Sequence, residues 1–101
     1  MQKIYISGPI TGVDPDVCQA AFARAEEELR QQGFIPVNPL KNGLPSTASW
    51  EQHMRRDLEL LQDCEEVYML DGWERSRGCK IEFNMAISAR KPITFESEKS
   101  K

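Results

Sequence analysis

Short apolar segments alternate with longer amphipathic ones along the chain, and this order limits the possible folds more than any other feature. The apolar segments predict four strands, at 3–7, 34–38, 66–70 and 92–95. Helical patterns occupy the three intervals between them. Strands that alternate with helices form parallel sheets with right-handed crossovers. We therefore expect a small α/β domain, Rossmann-like or flavodoxin-like, with three layers and a parallel sheet of about four to five strands.

Capping residues mark where the predicted helices begin and end. Asp14 followed by Pro15 predicts an N-terminus, and Gly33 ends the first helix. Ser49 opens a capping-box pattern, which predicts a second helix to about Cys64. A third helix is expected over 78–90. A chain of 101 residues has room for one core, so we expect a single domain over 1–95 and a disordered tail over 96–101.

Composition excludes several classes of protein. No apolar run approaches the roughly 18 residues of a membrane span, and the N-terminal segment lacks a cleavage pattern, so a cytoplasmic location is expected. A net charge of −3 without a basic stripe argues against double-stranded nucleic acid as a partner. Three unpaired cysteines and the single histidine, His53, lack metal-ligand spacing. We therefore expect a small-molecule ligand, with no metal and no cofactor.

Two acidic residues lie where apolar ones are expected. Glu82 projects from the middle of an apolar arc of the third helix that includes Ile81, and it lies three residues from Cys79 and from Met85. Asp57 interrupts the apolar stripe of the second helix in the same way. A carboxylate there is costly unless it is paired or opens to a cleft. Either these acids bind neighbouring arginines or loops, or both face one cleft and act as nucleophile or base and as orienting group or proton donor.

The loops at the carboxyl ends of the predicted strands are the expected place for a ligand. Those loops are 7–12, 38–48 and 71–78, and their first residues, Ser7 and Asn38, are candidate substrate-binding residues. The stretch 75–78, which contains Ser76 and Gly78, leads into a helix N-terminus that favours an anion, but it is equally typical of a solvated loop. Trp73 has two equal interpretations, stacking on a base or covering the end of the sheet.

Four segments of the sequence together resemble the nucleoside 2-deoxyribosyltransferase-like superfamily. They are IYISGPITG at the first strand, the W-x3-M-x2-D pattern that ends at Asp57, the apolar third strand leading into DGW, and SRGCKIEFNMA around Glu82. The resemblance covers roughly residues 3–95 and is strongest to small members of the superfamily, often phage-associated. It implies an enzyme that cleaves the bond between a base and a sugar.

The resemblance also implies roles for individual residues. Glu82 corresponds to the glutamate that attacks the anomeric carbon, Asp57 to an acidic residue near the base or the nucleophile, and Tyr5 to a tyrosine near the sugar. The turn from Gly8 to Gly12, which includes Pro9, would line the sugar or phosphate.

One position six residues before the glutamate divides the superfamily. It is an aspartate in transferases that act on free nucleosides and a phosphate-binding serine in nucleoside 5′-monophosphate hydrolases. This chain has Ser76 there, which favours a nucleotide. Thr11 replaces an arginine of those hydrolases, and the chain lacks the C-terminal segment by which longer members complete a neighbouring subunit's site. The superfamily forms homodimers or larger homo-oligomers, and a second apolar patch at Phe83 and Ile87 is a possible interface.

Two functions are therefore expected from the sequence. The first is an N-glycosidase or deoxyribosyltransferase acting on a nucleotide or nucleoside, with the base, the sugar and the acceptor left open. The alternative is a catalytically inactive module on the same fold that binds a nucleotide or a host protein. A third and weaker interpretation is a purely structural small α/β domain. In the enzyme, Glu82 and Asp57 should share one open pocket, with Tyr5 and Ser76 close by. An ion pair of Glu82 with Arg75 or Arg77 and no cavity would contradict the enzyme interpretation.

Overall fold

The computed structural model describes residues 2–99 and contains four strands and four helices in this part of the chain. In chain order these are β1 (Lys3–Ser7), α1 (Pro15–Gln31), β2 (Ile35–Val37), α2 (Trp50–Gln62), β3 (Glu66–Met69), α3 (Arg77–Ser88), β4 (Ile93–Phe95) and α4 (Glu96–Lys99). Short 3-10 turns at Pro39–Lys41 and Trp73–Arg75 follow β2 and β3. Among the described helices, none combines the length and the apolar character needed to cross a bilayer.

The four strands form one parallel sheet in the order β2-β1-β3-β4. β1 lies between two neighbours, with Tyr5 opposite Val37 of β2 and opposite Val67 of β3. Strands that are neighbours in the sheet are connected along the chain through at least one helix, because parallel strands cannot be joined by a tight turn. The predicted α/β class with a parallel Rossmann-like sheet is confirmed, and the sheet has four strands.

The helices cover both faces of the sheet, which gives three layers. On one face α1 packs through Phe22 and Leu29 against alternate residues of the inner strands, among them Ile4 and Ile6. The opposite face carries Tyr5, Val67 and Met69 and is covered by α2 and α3. Because successive side chains of a strand point to opposite faces, nearly continuous apolar strands are what a sheet buried on both sides requires.

The predicted capping residues are present in the structure. The Asp14 carboxylate accepts hydrogen bonds from the amides of Asp16 and Val17, with Pro15 at the first helical position. Ser49 and Gln52 form the expected capping box at α2. These contacts satisfy backbone donors that the first helical turn leaves unpaired.

Three features of the C-terminal third differ from the prediction. Phe83 is partly buried and stacks on Trp73 with ring centroids 4.7 Å apart, so it does not form an exposed patch with Ile87. Ile81, predicted to face the core, is 36% exposed. Apolar residues occur at every second position of this helix, so the sequence does not define one apolar face. Packing against the Trp73–Arg75 turn determines that the Phe83 side chain is the one partly buried. Residues 96–99, predicted as disordered tail, form α4, and 100–101 lie outside the described residues.

Candidate active site

Glu82 is buried at the junction of α3 and β1 and is 5% exposed. The Tyr5 hydroxyl donates a hydrogen bond to its Oε2 at 2.6 Å, and the Ser7 hydroxyl donates one to its Oε1 at 2.6 Å. Tyr5 and Ser7 are two residues apart on β1, so their side chains point to the same face of the sheet. The strand therefore supplies one donor for each oxygen of a carboxyl group that burial would otherwise leave unpaired.

Burial dominates the electrostatics of this carboxyl group. The pKa of Glu82 is raised to about 7. Removal from water is the largest cause, the hydrogen bonds from the two hydroxyls oppose it, and the nearby charge of Asp57 adds to the rise. The pKa of Tyr5 is raised well above its usual value, first by burial and then by the charge of Glu82. Tyr5 therefore remains a hydrogen-bond donor, while Glu82 changes its ionisation near neutral pH.

An open cavity of about 530 Å³ lies above Glu82. Its walls come from the loop after β1, the loop after β2, the inner face of α2 and the first turn of α3. Asp57 and Glu82 both line it, so the two acids predicted from the sequence share one cavity. Among the described residues, neither Arg75 nor Arg77 forms a salt bridge with Glu82. The arrangement that would have contradicted the enzyme interpretation, an ion pair of Glu82 without a cavity, is therefore not found among the described residues.

Asp57 is held by the loop after β2 and not by an arginine side chain. Its Oδ1 accepts a hydrogen bond from the Asn42 amide at 2.9 Å, and Asp57 is 6% exposed. Burial raises the pKa of Asp57, whereas the Asn42 hydrogen bond and the nearby His53 and Arg56 lower it. The carboxyl group is thus stabilised by a neutral amide and retains a surface toward the cavity.

Three further predicted residues, Gly8, Ser76 and Gly78, line the cavity. Ser76 caps α3 by accepting a hydrogen bond from the Cys79 amide at 3.2 Å. A Cβ atom on Gly78 would lie 3.1 Å from Sδ of Met54, and one on Gly8 would lie 2.6 Å from Cδ1 of Leu70. Side chains at either glycine would therefore crowd the wall or the core beneath it.

Six predicted residues do not line this cavity. Tyr5 and Ser7 are fully buried and contact Glu82, and the other four lie elsewhere. Asn38 caps the 3-10 turn after β2 by accepting a hydrogen bond from the Leu40 amide at 2.9 Å. Trp73 stacks on Phe83 and lies 5.7 Å from the ring of Phe95, so it covers the end of the sheet. Pro9 and Gly12 belong to the turn after β1 but do not reach the cavity wall, unlike Ile10 and Thr11 between them.

Sequence reasoning did not identify Asn42, His53 or Trp50 as parts of the wall. Asn42 lies in a stretch rich in turn-forming residues, where an asparagine is ordinarily explained by the turn itself. The signal that could have identified His53 is its position four residues before Asp57 on the same helix, which places the two side chains on one face. Trp50 carries the guanidinium of Arg77 over its ring at 4.4 Å, which joins the first turns of α2 and α3. Within residues 2–99, no group of three or more acidic, histidine or cysteine side chains is arranged to hold a metal ion.

The fold defines a Rossmann-like α/β protein. A solved structure of a 2-desoxiribosyltransferase from Leishmania mexicana superposes with a TM-score of 0.73 over 94% of this chain, at 17% sequence identity. The chain spans 63% of that protein's length. At this identity the likeness establishes the shared fold.

The chain belongs to the family described as Domain of unknown function (DUF4406), whose model matches residues 2–95. The search of curated proteins returned no match. The fold is therefore shared with a deoxyribosyltransferase, while the family description assigns no activity.

Proposed function

We propose that the protein cleaves the bond between base and sugar of a nucleotide or nucleoside, with Glu82 as the nucleophile. The observation that carries this proposal is the placement of Glu82 at the cavity floor between the hydroxyls of Tyr5 and Ser7. A buried carboxyl group without a cation partner destabilises a fold, so its presence calls for a role in the cavity.

In the proposed reaction a Glu82 oxygen attacks the anomeric carbon of the sugar. The carbon–oxygen bond forms as the carbon–nitrogen bond breaks, and the bonding electrons leave with the base, which takes up a proton. Water, or a second base, then attacks the glycosyl ester and restores the carboxylate. The Tyr5 and Ser7 hydroxyls hold the carboxylate in place during both steps, and they stabilise its charge when the ester is released.

Asp57 assists at the opposite wall of the cavity. Its carboxyl group is fixed through one oxygen by Asn42, which leaves the other oxygen available to orient the base or to exchange a proton with it. The charge of Asp57 also raises the pKa of Glu82, so the two carboxyl groups titrate as an interacting pair.

The first turn of α3 favours a substrate with a phosphate group. Ser76 and Gly78 line the cavity at the positive end of this 12-residue helix, and Arg77 lies beside them over Trp50. Thr11 lines the same cavity and is neutral, so the phosphate would be held mainly at α3. We accordingly place a nucleoside monophosphate ahead of a free nucleoside, with no metal and no cofactor in the reaction.

The proposal extends to assembly and location. Ile87 is 55% exposed on α3 and Ile81 is 36% exposed, which supports contact with a second copy of the chain in a homodimer or larger homo-oligomer. The expected location is the cytoplasm, where nucleotides are available as substrates.

The test is to incubate the protein with ribo- and deoxyribonucleoside monophosphates and nucleosides and to measure free base by chromatography. Glu82→Gln should abolish release, because an amide oxygen is a poor nucleophile. Glu74→Gln is the matched control, since Glu74 is exposed outside the cavity. Release that persists in Glu82→Gln would contradict the proposed nucleophile. Saturable nucleotide binding without release by the wild type would instead support the alternative, an inactive binding module.

A further inference from the structure

The side chain of Asn42 connects the loop after β2 to two residues of α2. Its Oδ1 accepts a hydrogen bond from the Leu44 amide at 3.0 Å. Its Nδ2 lies 2.9 Å from Oδ1 of Asp57 and 3.0 Å from Nδ1 of His53. Asn42 is 6% exposed, and its main-chain oxygen accepts a hydrogen bond from Nε of Arg56 at 3.3 Å. The amide is therefore engaged through both its oxygen and its nitrogen.

These partners determine which way the Asn42 amide points. The Leu44 N–H group can only donate, so the Asn42 oxygen must face it. A flipped amide would direct its NH₂ group at that N–H and its oxygen at the Asp57 carboxylate, which are two repulsive contacts. The two hydrogens of Nδ2 are consequently directed at Asp57 and at His53.

The orientation of Asn42 sets the hydrogen-bonding state of both neighbours. Nδ1 of His53 must accept, so the neutral ring carries its hydrogen on Nε2. Oδ1 of Asp57 is satisfied, whereas its Oδ2 receives no hydrogen bond from any side chain described for residues 2–97. His53 and Asp57 lie one helical turn apart and both line the cavity. The α2 wall therefore carries one ring donor and one carboxylate acceptor.

We infer that Asn42 is a specificity-determining residue, which fixes His53 as donor and Asp57 as acceptor for the base edge of the ligand. The matching chemistry is a planar group with a hydrogen-bond donor beside an acceptor, as on the unsubstituted edge of a nucleobase. Apolar residues, including Leu44 and Met54, line the same cavity, so a ligand that leaves either polar group unpaired is disfavoured. This inference rests on the proposed function for the nature of the ligand, but not for the state of His53.

His53 is the chain's single histidine, so its ring nitrogens can be observed by long-range proton–nitrogen NMR without assignment. At mildly alkaline pH the wild type should show a protonated Nε2 and an unprotonated Nδ1. In Asn42→Asp a carboxylate replaces the amide donor, so hydrogen should appear on Nδ1. Asn84→Asp, the same change at an exposed position of α3, should leave the ring signals unchanged. A wild-type ring protonated on Nδ1, or no change in Asn42→Asp, would overturn the assignment. The measurement on the wild type tests the assignment even if the Asn42→Asp variant does not fold.

Ligand selection is tested by calorimetry on Glu82→Gln, which binds without turnover if the proposed function holds. The probes are inosine, uridine and adenosine monophosphates, each beside an analogue in which methyl groups replace every hydrogen of the base nitrogen that donates. For the nucleotide that binds, methylation should weaken binding by about tenfold or more.

Asn42→Ala separates hydrogen bonding from size. If hydrogen bonding causes the discrimination, Asn42→Ala should reduce the ratio of affinities for a nucleotide and its methylated analogue to about twofold. If the methyl group is excluded only by its size, that ratio should be unchanged. Equal binding of both members by Glu82→Gln, or full discrimination in the additional Asn42→Ala variant, would overturn the inference. If no nucleotide binds while His53 has the expected tautomer, the proposed function and the base-edge assignment fail, and the effect of Asn42 on His53 stands.

Discussion

Replacing Glu82 by glutamine should stabilise the protein at alkaline pH and leave its stability unchanged in acid. The folded state raises the pKa of this carboxyl group from 4.5 to about 7. Between these values the native protein binds more protons than the unfolded chain, so its stability falls as pH rises. A glutamine is neutral throughout and resembles the protonated acid in shape and hydrogen bonding, so it does not incur this loss.

The magnitude follows from the size of the pKa rise. Each pKa unit corresponds to about 1.4 kcal/mol, so the rise from 4.5 to about 7 corresponds to about 3 kcal/mol of stability. Glu82→Gln should recover this amount above the folded pKa and none of it below the unfolded pKa. For a domain of this size the gain is on the order of 10 °C or more in Tm.

The assay is urea unfolding of wild type and Glu82→Gln at a series of pH values between about 4 and 8, with the free energy extrapolated to water. Titrating groups that do not interact with Glu82 contribute equally to both proteins, so the difference reports Glu82 together with its coupling to Asp57. Glu74→Gln should show almost no difference at any pH, because Glu74 is exposed. If the difference in unfolding free energy were constant across the pH range, or if Glu82→Gln lost stability at alkaline pH, the conclusion that Glu82 is buried and binds a proton near neutral pH would be wrong.

Further predictions concern activity and packing. The rate of base release should rise as pH increases through about 7, the pKa of Glu82, because the nucleophile must be ionised. In a pH–rate profile, Asp57→Asn should move this rise to lower pH, because it removes a charge that raises the pKa of Glu82. Gly8→Ala should destabilise the fold by about 1–3 kcal/mol in urea unfolding, since the new Cβ would lie 2.6 Å from a Leu70 methyl carbon; unchanged stability would contradict the tight packing there. Trp73→Ala should cost about 3 kcal/mol of stability while leaving the KM for nucleotide unchanged, and a raised KM with normal stability would show that Trp73 contacts the base.

The fold was predictable because local chemistry and chain order agree. Asp14, Pro15 and Ser49 mark helix starts through contacts with residues two or three positions away, which a sequence displays directly. The acids at 57 and 82 were found because an apolar helix face with a central carboxylate is unusual at any position. Both kinds of prediction need only the period of a helix and the cost of burying charge.

Contacts between residues that are far apart in the sequence could not be predicted. The partner of Asp57 is Asn42, 15 residues away across a loop, and nothing in the turn-rich stretch around Asn42 distinguishes it from neighbouring polar residues. The position of Trp73 depends on Phe95, which reaches it only after the sheet has formed. Such contacts follow from the packed structure and have no local periodicity to reveal them.

The two hydroxyls that hold Glu82 belong to β1, which has a strand on each side, whereas much of the cavity wall belongs to the loop 39–48. The floor of the site can therefore open only when the sheet itself comes apart, so its amide protons should exchange at the rate of global unfolding. The loop is anchored to α2 through Asn42 and can change in length or composition without moving the strand. Because the wall and the floor belong to different parts of the fold, sequence changes in the wall can alter which molecules enter while the Glu82 carboxyl group keeps its place.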